Sequence, residues 1–225
     1  MRTGGKLVLV TLAVGLIGAL VGFYTWRLTY EDGSAAYTVP VKVVGGRPVV
    51  DLKIMTVAAI GPKLSPNPDW VSYLIDTTAG WKRETVWNLP AHATIHATIY
   101  NFDGASGLRN PYLGRPQGID GNQISIDGKA ANAIDPNDAS HTFAVPQLGI
   151  IVAIPGVADN ATPQCGYAPC PMSTAHRTVQ FTFHTTTPGH YRWQCFVPCA
   201  AGWIDGFGGP MQTIGYMDGF LNVKA

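Results

Sequence analysis

The chain has 225 residues, with 15 Lys and Arg against 14 Asp and Glu, a net charge of +1, and only 13% charged residues. No Lys/Arg block stands out, which excludes a nucleic-acid partner, because phosphate binding needs clustered positive charge. Gly (26) and Pro (17) are abundant, which predicts many turns and few long surface helices.

The N-terminus carries Arg2 and Lys6 ahead of an uncharged apolar run, Leu7 to Trp26. About 20 residues at ~1.5 Å each cross a hydrocarbon core of ~30 Å. The basic flank suits the cytoplasmic side, and Tyr24 and Trp26 suit the far interface. The expectation is a single-pass anchor over residues 1–27 in the cell membrane, N-terminus cytoplasmic, with the C-terminal domain extracytoplasmic. A cleaved signal peptide is the alternative, and it places the domain in the same compartment. Residues 28–48 read as a linker, broken by Glu31-Asp32-Gly33-Ser34 and Gly45-Gly46.

Residues 49–225 are predicted to form one all-β domain. Val49 to Ile60 is β-branched, and Trp70 to Asp76 is short and aromatic-edged. In Ala91 to Asn101, Ala93, Ile95, Ala97 and Ile99 share one face, and His92 and His96 lie on the other. Residues 103–140 are rich in loop formers and read as an insertion between two core strands. From His141 two short strands surround a turn. A Cys-containing loop, Asp159 to Ser173, comes next. In the following strand Val179, Phe181 and Phe183 face inward. Thr185 to Gly189 turns the chain, and in the next strand Tyr191, Trp193 and Cys195 share one side. Gly215 to Val223 closes the domain. Short strands at regular turn spacing argue for a β-sandwich.

Four cysteines fit an oxidising compartment. The simplest pairing is local, with Cys165 to Cys170 a structural disulfide and Cys195 with Cys199 the second pair. The spacings C-x4-C and C-x3-C do not match a zinc ribbon. No G-x-S-x-G elbow, H-E-x-x-H or phosphate loop is present. His92, His96, His176, His184 and His190 read as solvated surface residues.

Residues 140–223 resemble the cupredoxins, most closely the dinuclear-copper domain of cytochrome c oxidase subunit II. The resemblance rests on His141 in HTF, on TPGHYRWQC, on Cys195 and Cys199 in CFVPC, and on Met217 in GYMDGFLNV. It implies a cupredoxin-like Greek-key β-sandwich behind a single N-terminal transmembrane helix. It also implies one or two copper ions held by His141, Cys195, Cys199 and Met217, with the Val197 carbonyl as a further donor. Trp203 stands where the family's second His would fall, and indole offers only an N–H donor.

The surviving ligand set, two thiolates, a thioether and an imidazole, is soft and favours copper, particularly Cu(I). Three readings of the departure stand. Met211 or a backbone group takes the missing place, one copper binds rather than two, or none binds and Cys195 bonds to Cys199. The implied function is electron transfer at the membrane, as a subunit II-like component of a respiratory complex or with a separate redox partner protein. Cu(I) delivery and a structural accessory role with a degenerate site are the alternatives. In none of these does the chain act as an enzyme on its own.

Overall fold

In the computed structural model the described residues are 3–29, 36–107, 110–200 and 209–225. The chain divides into two units, Met1–Asp32 and Gly33–Ala225. The first is a helix, α1 (Thr3–Thr29), of which Gly4–Trp26 is long and apolar enough to cross a membrane. Its side chains from Gly4 to Trp26 are all exposed, with apolar residues on every side. A helix hydrophobic all round needs an apolar surrounding. Thr11 and Thr25 donate their hydroxyls to the carbonyls of Leu7 (3.0 Å) and Val21 (2.8 Å), so neither is left unpaired in such a medium. A membrane anchor and a signal peptide both satisfy these features.

The second unit is a β-sandwich of fourteen strands among the described residues. These are β1 (Tyr37–Thr38), β2 (Val41–Val44), β3 (Arg47–Val57), β4 (Ser72–Thr77), β5 (Gly80–Lys82), β6 (Val86–Pro90), β7 (Thr94–Asn101), β8 (Ile124–Ile126), β9 (Lys129–Ala131), β10 (Ala139–Val145), β11 (Ile150–Pro155), β12 (Arg177–His184), β13 (Gly189–Gln194) and β14 (Asp218–Lys224). One sheet runs β1-β6-β14-β13-β10-β11. The other runs β5-β4-β3-β7-β12-β8-β9, with β2 paired to β3. The chain crosses repeatedly between the sheets, so half of the sheet neighbours are not consecutive in sequence.

The alternation predicted for residues 91–101 is observed, with Ala93, Ile95, Ala97 and Ile99 buried and His92 and His96 exposed. Val179, Phe181 and Phe183 are buried against them from β12, in the register Phe181↔Ala97. Between the sheets, Trp87 stacks on Trp193 at 4.9 Å and 16°, and Tyr73 meets Trp193 edge-on at 4.9 Å. All three are fully buried. Each indole N–H is satisfied, Trp87 donating to the Glu84 carbonyl (2.7 Å) and Trp193 to that of Thr85 (2.9 Å), as burial of these rings demands.

Some boundaries differ from expectation. β3 begins at Arg47 because Gly45 and Gly46, both at positive φ (58° and 78°), make the two-residue turn that pairs β2 with β3. β1 and β2 therefore fall within residues 28–48, the stretch expected to be a linker. The 103–140 stretch is not all loop. Its β8–β9 hairpin adds to β12, and Leu113, Ile119 and Ile124 enter the main core. Gly118 (φ 70°) packs so closely on Gly149 that a Cβ would sit 2.4 Å from its carbonyl oxygen.

The Cys165–Cys170 disulfide forms as expected. Cys170 joins Met55, Val57, Leu74, Phe102 and Ala168 in a second, smaller apolar cluster.

At the centre of the first sheet the Thr85 carbonyl accepts from both Trp193 Nε1 and the Phe220 N–H (3.0 Å). A Cβ on Gly219 would lie 1.9 Å from that oxygen. Gly219→Ala is therefore expected to force β14 off β6 and to cost about 3 kcal/mol, the upper range for overpacking, read as a lower midpoint in urea unfolding.

Candidate metal centre

The site gathers at one end of the sandwich, from β10, the segment after β13, and the start of β14. β10 is buried along its whole length. Its pairing with β11 shifts register between Ala139 and His141, a bulge that re-aims the side chain beyond it. His141 is consequently fully buried. Cys195 follows the last residue of β13 and shares the inward parity of Trp193, as predicted. Its N–H donates to the Met217 carbonyl at 3.0 Å, which ties the cysteine segment to the residue just before β14.

His141 Nδ1 lies 2.9 Å from Cys199 Sγ, and Cys199 Sγ lies 3.2 Å from Cys195 Sγ. The donor atoms of the three residues all fall within 4.8 Å of one another. The two sulfurs are not bonded, since a disulfide is ~2.05 Å long. The reading in which Cys195 and Cys199 form a disulfide does not hold in this structure. The Val197 carbonyl, expected near the site, accepts from the Cys199 thiol at 3.1 Å and sits 3.5 Å from Cys195 Sγ. Met217 is fully buried in the same apolar cluster as Cys195, and Met211 packs half-buried against that cluster. Trp203 lies outside the described residues.

Three contacts had no sequence signal. Thr142 directs its N–H at Cys195 Sγ (3.3 Å) while its hydroxyl accepts from the Phe196 N–H (2.7 Å), locking the loop behind the sulfur. Tyr73 donates to the Thr142 carbonyl (2.8 Å). Asp103, the first residue of the expected insertion, brings Oδ2 to 3.2 Å from His141 Nε2. This is an ion-pair distance without hydrogen-bond alignment, so Nε2 keeps no hydrogen-bond partner. An Asp in a polar loop looks solvated in sequence; only the fold turns it inward.

The electrostatics follow from these distances. Burial works against a charged His141, but the Asp103 carboxylate and the sulfur charge outweigh it and raise its pKa to about 9. Burial also opposes ionisation of Asp103. The His141 ring and the Gly104 N–H prevail and hold its carboxyl below the ordinary value.

Desolvation alone would raise the Cys195 thiol, yet the Cys199 S–H, His141 and the Thr142 N–H bring it well below the usual range. Its thiolate in turn pushes the Cys199 thiol far up, with burial adding to the effect. His141 Nδ1 touches Cys199, while the negative charge settles on Cys195. With the sulfurs 3.2 Å apart, one proton serves both, and the imidazolium faces the pair.

These groups suit a soft metal ion. Two sulfurs and an imidazole nitrogen converge without backbone movement, and Met217 is buried in the same cluster with its carbonyl tied to the Cys195 N–H. Donors ~2.0–2.3 Å from a common ion stand about 3.5 Å apart, so the observed spacings need to open by only a few tenths of an ångström. Among the described residues no second imidazole joins the group. His92, His96, His184 and His190 are exposed, as expected. His176 differs. It is half-buried against Phe102 (ring centres 5.1 Å apart) and Tyr100 (6.1 Å).

No protein-family model and no curated protein matches the chain. Solved structures do. Rusticyanin from Thiobacillus ferrooxidans is 19% identical over 83% of this chain and 87% of that one, with a TM-score of 0.32. A second rusticyanin structure, titled as a copper protein, is 20% identical over 83% and 88%, with a TM-score of 0.33. A multi-copper oxidase from Pediococcus acidilactici is 8% identical over 87% of this chain and 30% of that one, with a TM-score of 0.34.

In the metal-free chain His141 should titrate near pH 9 by NMR, and Asp103→Asn should lower that value. The sign for stability follows from a folded pKa raised above 6.5. The contribution of His141 is complete below about pH 6.5 and is lost as pH rises through about 9. Urea midpoints measured across that window, compared with Asp103→Asn, check it.

Proposed function

We propose that this chain is a membrane-anchored cupredoxin that carries electrons through copper at His141, Cys195, Cys199 and Met217. The observation that supports this most is the convergence at the sandwich end of the His141 imidazole nitrogen with two unbonded sulfurs from residues 54 and 58 positions further along the chain. Copper bound there would supply a one-electron couple. The protein's share is to hold the donors rigidly. β10 and β13 position His141 and Cys195, Thr142 fixes the sulfur, and the Cys195 N–H bond to the Met217 carbonyl fixes the base. A donor set that moves little between redox states suits fast transfer. The N-terminal helix would keep the domain at an outer membrane face, beside an integral-membrane respiratory complex or another redox partner. The resemblance to oxidase subunit II makes a terminal oxidase the first partner to test.

Copper loading of the full chain in detergent checks the reading. We expect a visible sulfur-to-copper absorption, reversible bleaching by a mild reductant, and an EPR hyperfine pattern that reports one copper nucleus or two. Cys195→Ser should abolish the colour. Met217→Leu should retain copper and raise the reduction potential, because a donor to the more highly charged state is lost. A chain that binds Cu(I) tightly but never cycles would instead be a delivery protein. A colourless chain with no copper of either valence would be a structural subunit.

A further inference from the structure

The metal centre is not sealed. A cleft of about 240 Å³ opens beside it, walled by residues 103–106 on one side and by Ser140, His141, Pro198 and Cys199 on the other. Cys199 is only partly buried, whereas Cys195 is buried. The wall is firmly held. Val157 and Asp103 are joined by an N–H to carbonyl bond of 2.9 Å, and the Ala139 carbonyl accepts from both the N–H (2.9 Å) and the hydroxyl (2.6 Å) of Ser106. Gly156 lies so close that its Cβ would meet the Ala105 nitrogen at 2.2 Å.

One buried polar atom on the cleft residues, Ser140 Oγ, has no hydrogen-bond partner, and His141 Nε2 has only its ion-pair contact with Asp103. Polar atoms in that state are expected to be satisfied by something outside the fold. Asp103 sets its carboxylate on the cleft wall, with Oδ2 3.2 Å from His141 Nε2.

From this geometry we infer that the cleft is the loading port of the metal centre: a small hydrated cation is drawn in by Asp103 and met by Cys199 before it reaches Cys195. The inference rests on the copper reading above. Ser140 Oγ offers an oxygen to the incoming cation in place of shed water. Once the ion is on Cys199 Sγ, His141 Nδ1 and Cys195 Sγ lie 2.9 and 3.2 Å further on. No electron moves in this step; water ligands leave the cation, and the one thiol proton and the imidazolium proton on His141 Nδ1 leave to solvent.

The test uses the metal-free, thiol-reduced full chain in detergent and the redox-inert cation Cd2+, followed by stopped-flow absorption of the cadmium–thiolate bond. Asp103→Asn should slow loading by on the order of tenfold and remove its dependence on ionic strength. Ala105→Trp, which fills the mouth, should slow both Cd2+ loading and alkylation by neutral iodoacetamide. In the unaltered chain iodoacetamide should label Cys199 well before Cys195, although the negative charge settles on Cys195, because only Cys199 lines the cleft. Maleimides of increasing size should lose access to Cys199, which decides the matter even if Ala105→Trp does not fold.

Unchanged loading in Ala105→Trp, or equal labelling of the two cysteines, overturns the port. Loading of Asp103→Asn that keeps the original rate and salt dependence overturns the role of Asp103. A chain that takes up neither Cd2+ nor copper refutes the metal centre itself, while the labelling ratio still reports on the cleft.

Discussion

An imidazole with no solvent exposure sits between a carboxylate on one side and a pair of sulfurs on the other. Removing a charged ring from water is costly unless opposite charge surrounds it. Here both flanks supply that charge, and every notable feature of the end of the sandwich serves to hold them. The bulge in β10 turns the ring inward, Thr142 presses against one sulfur, and the start of β14 fixes the backbone of Cys195. The aromatic stack of Trp87, Trp193 and Tyr73 forms a stiff floor for the arrangement, and the Tyr73 ring reaches to 6.2 Å from that of His141.

The low-pKa sulfur and the high-pKa ring form one unit. The same contacts that favour the charged form of His141 favour the thiolate of Cys195, so the two shifts run in opposite directions and support each other. A soft cation that displaces the proton from such a pair meets a thiolate already formed. Tyr73 feels the same field. Its own burial raises its phenol well above the ordinary value, and the sulfur charges raise it further, so it stays a neutral donor to Thr142.

Much of this was legible in the amino-acid order, and for identifiable reasons. Period-two alternation in residues 91–101 and 177–184 fixed which side chains face inward, because a buried sheet face tolerates few polar residues. Of the ordered set His141, Cys195, Cys199 and Met217, singled out because so few residue types bind soft metals, the structure brings the donor atoms of the first three together. Asp103 was hidden. Nothing local separates it from the other acidic residues of its loop, and its orientation depends on a bond between Asp103 and Val157, 54 residues apart. β6 was hidden for a different reason: it is short, ends in Pro90, and gains its place only by parallel pairing with β14, the last strand of the chain. The hairpin of β8 and β9 owes its place to pairing with β12 rather than to its own few residues.

Asn101 is buried at the end of β7 and joins four segments at once. Its amide oxygen accepts from the Thr56 hydroxyl (2.6 Å) and the Asp103 N–H (3.2 Å), and its amide nitrogen donates to the carbonyls of Asp103 (3.1 Å) and Pro155 (2.9 Å). This knot lies between the regular sheet and the long excursion that begins at Asp103. That one side chain pins the start of the excursion, while Leu113, Ile119 and Ile124 pin its later part in the core. A protein engineer wishing to graft new surface onto this scaffold would therefore keep Asn101 and those three anchors and confine changes to the exposed side chains between them, with the His141 end left undisturbed.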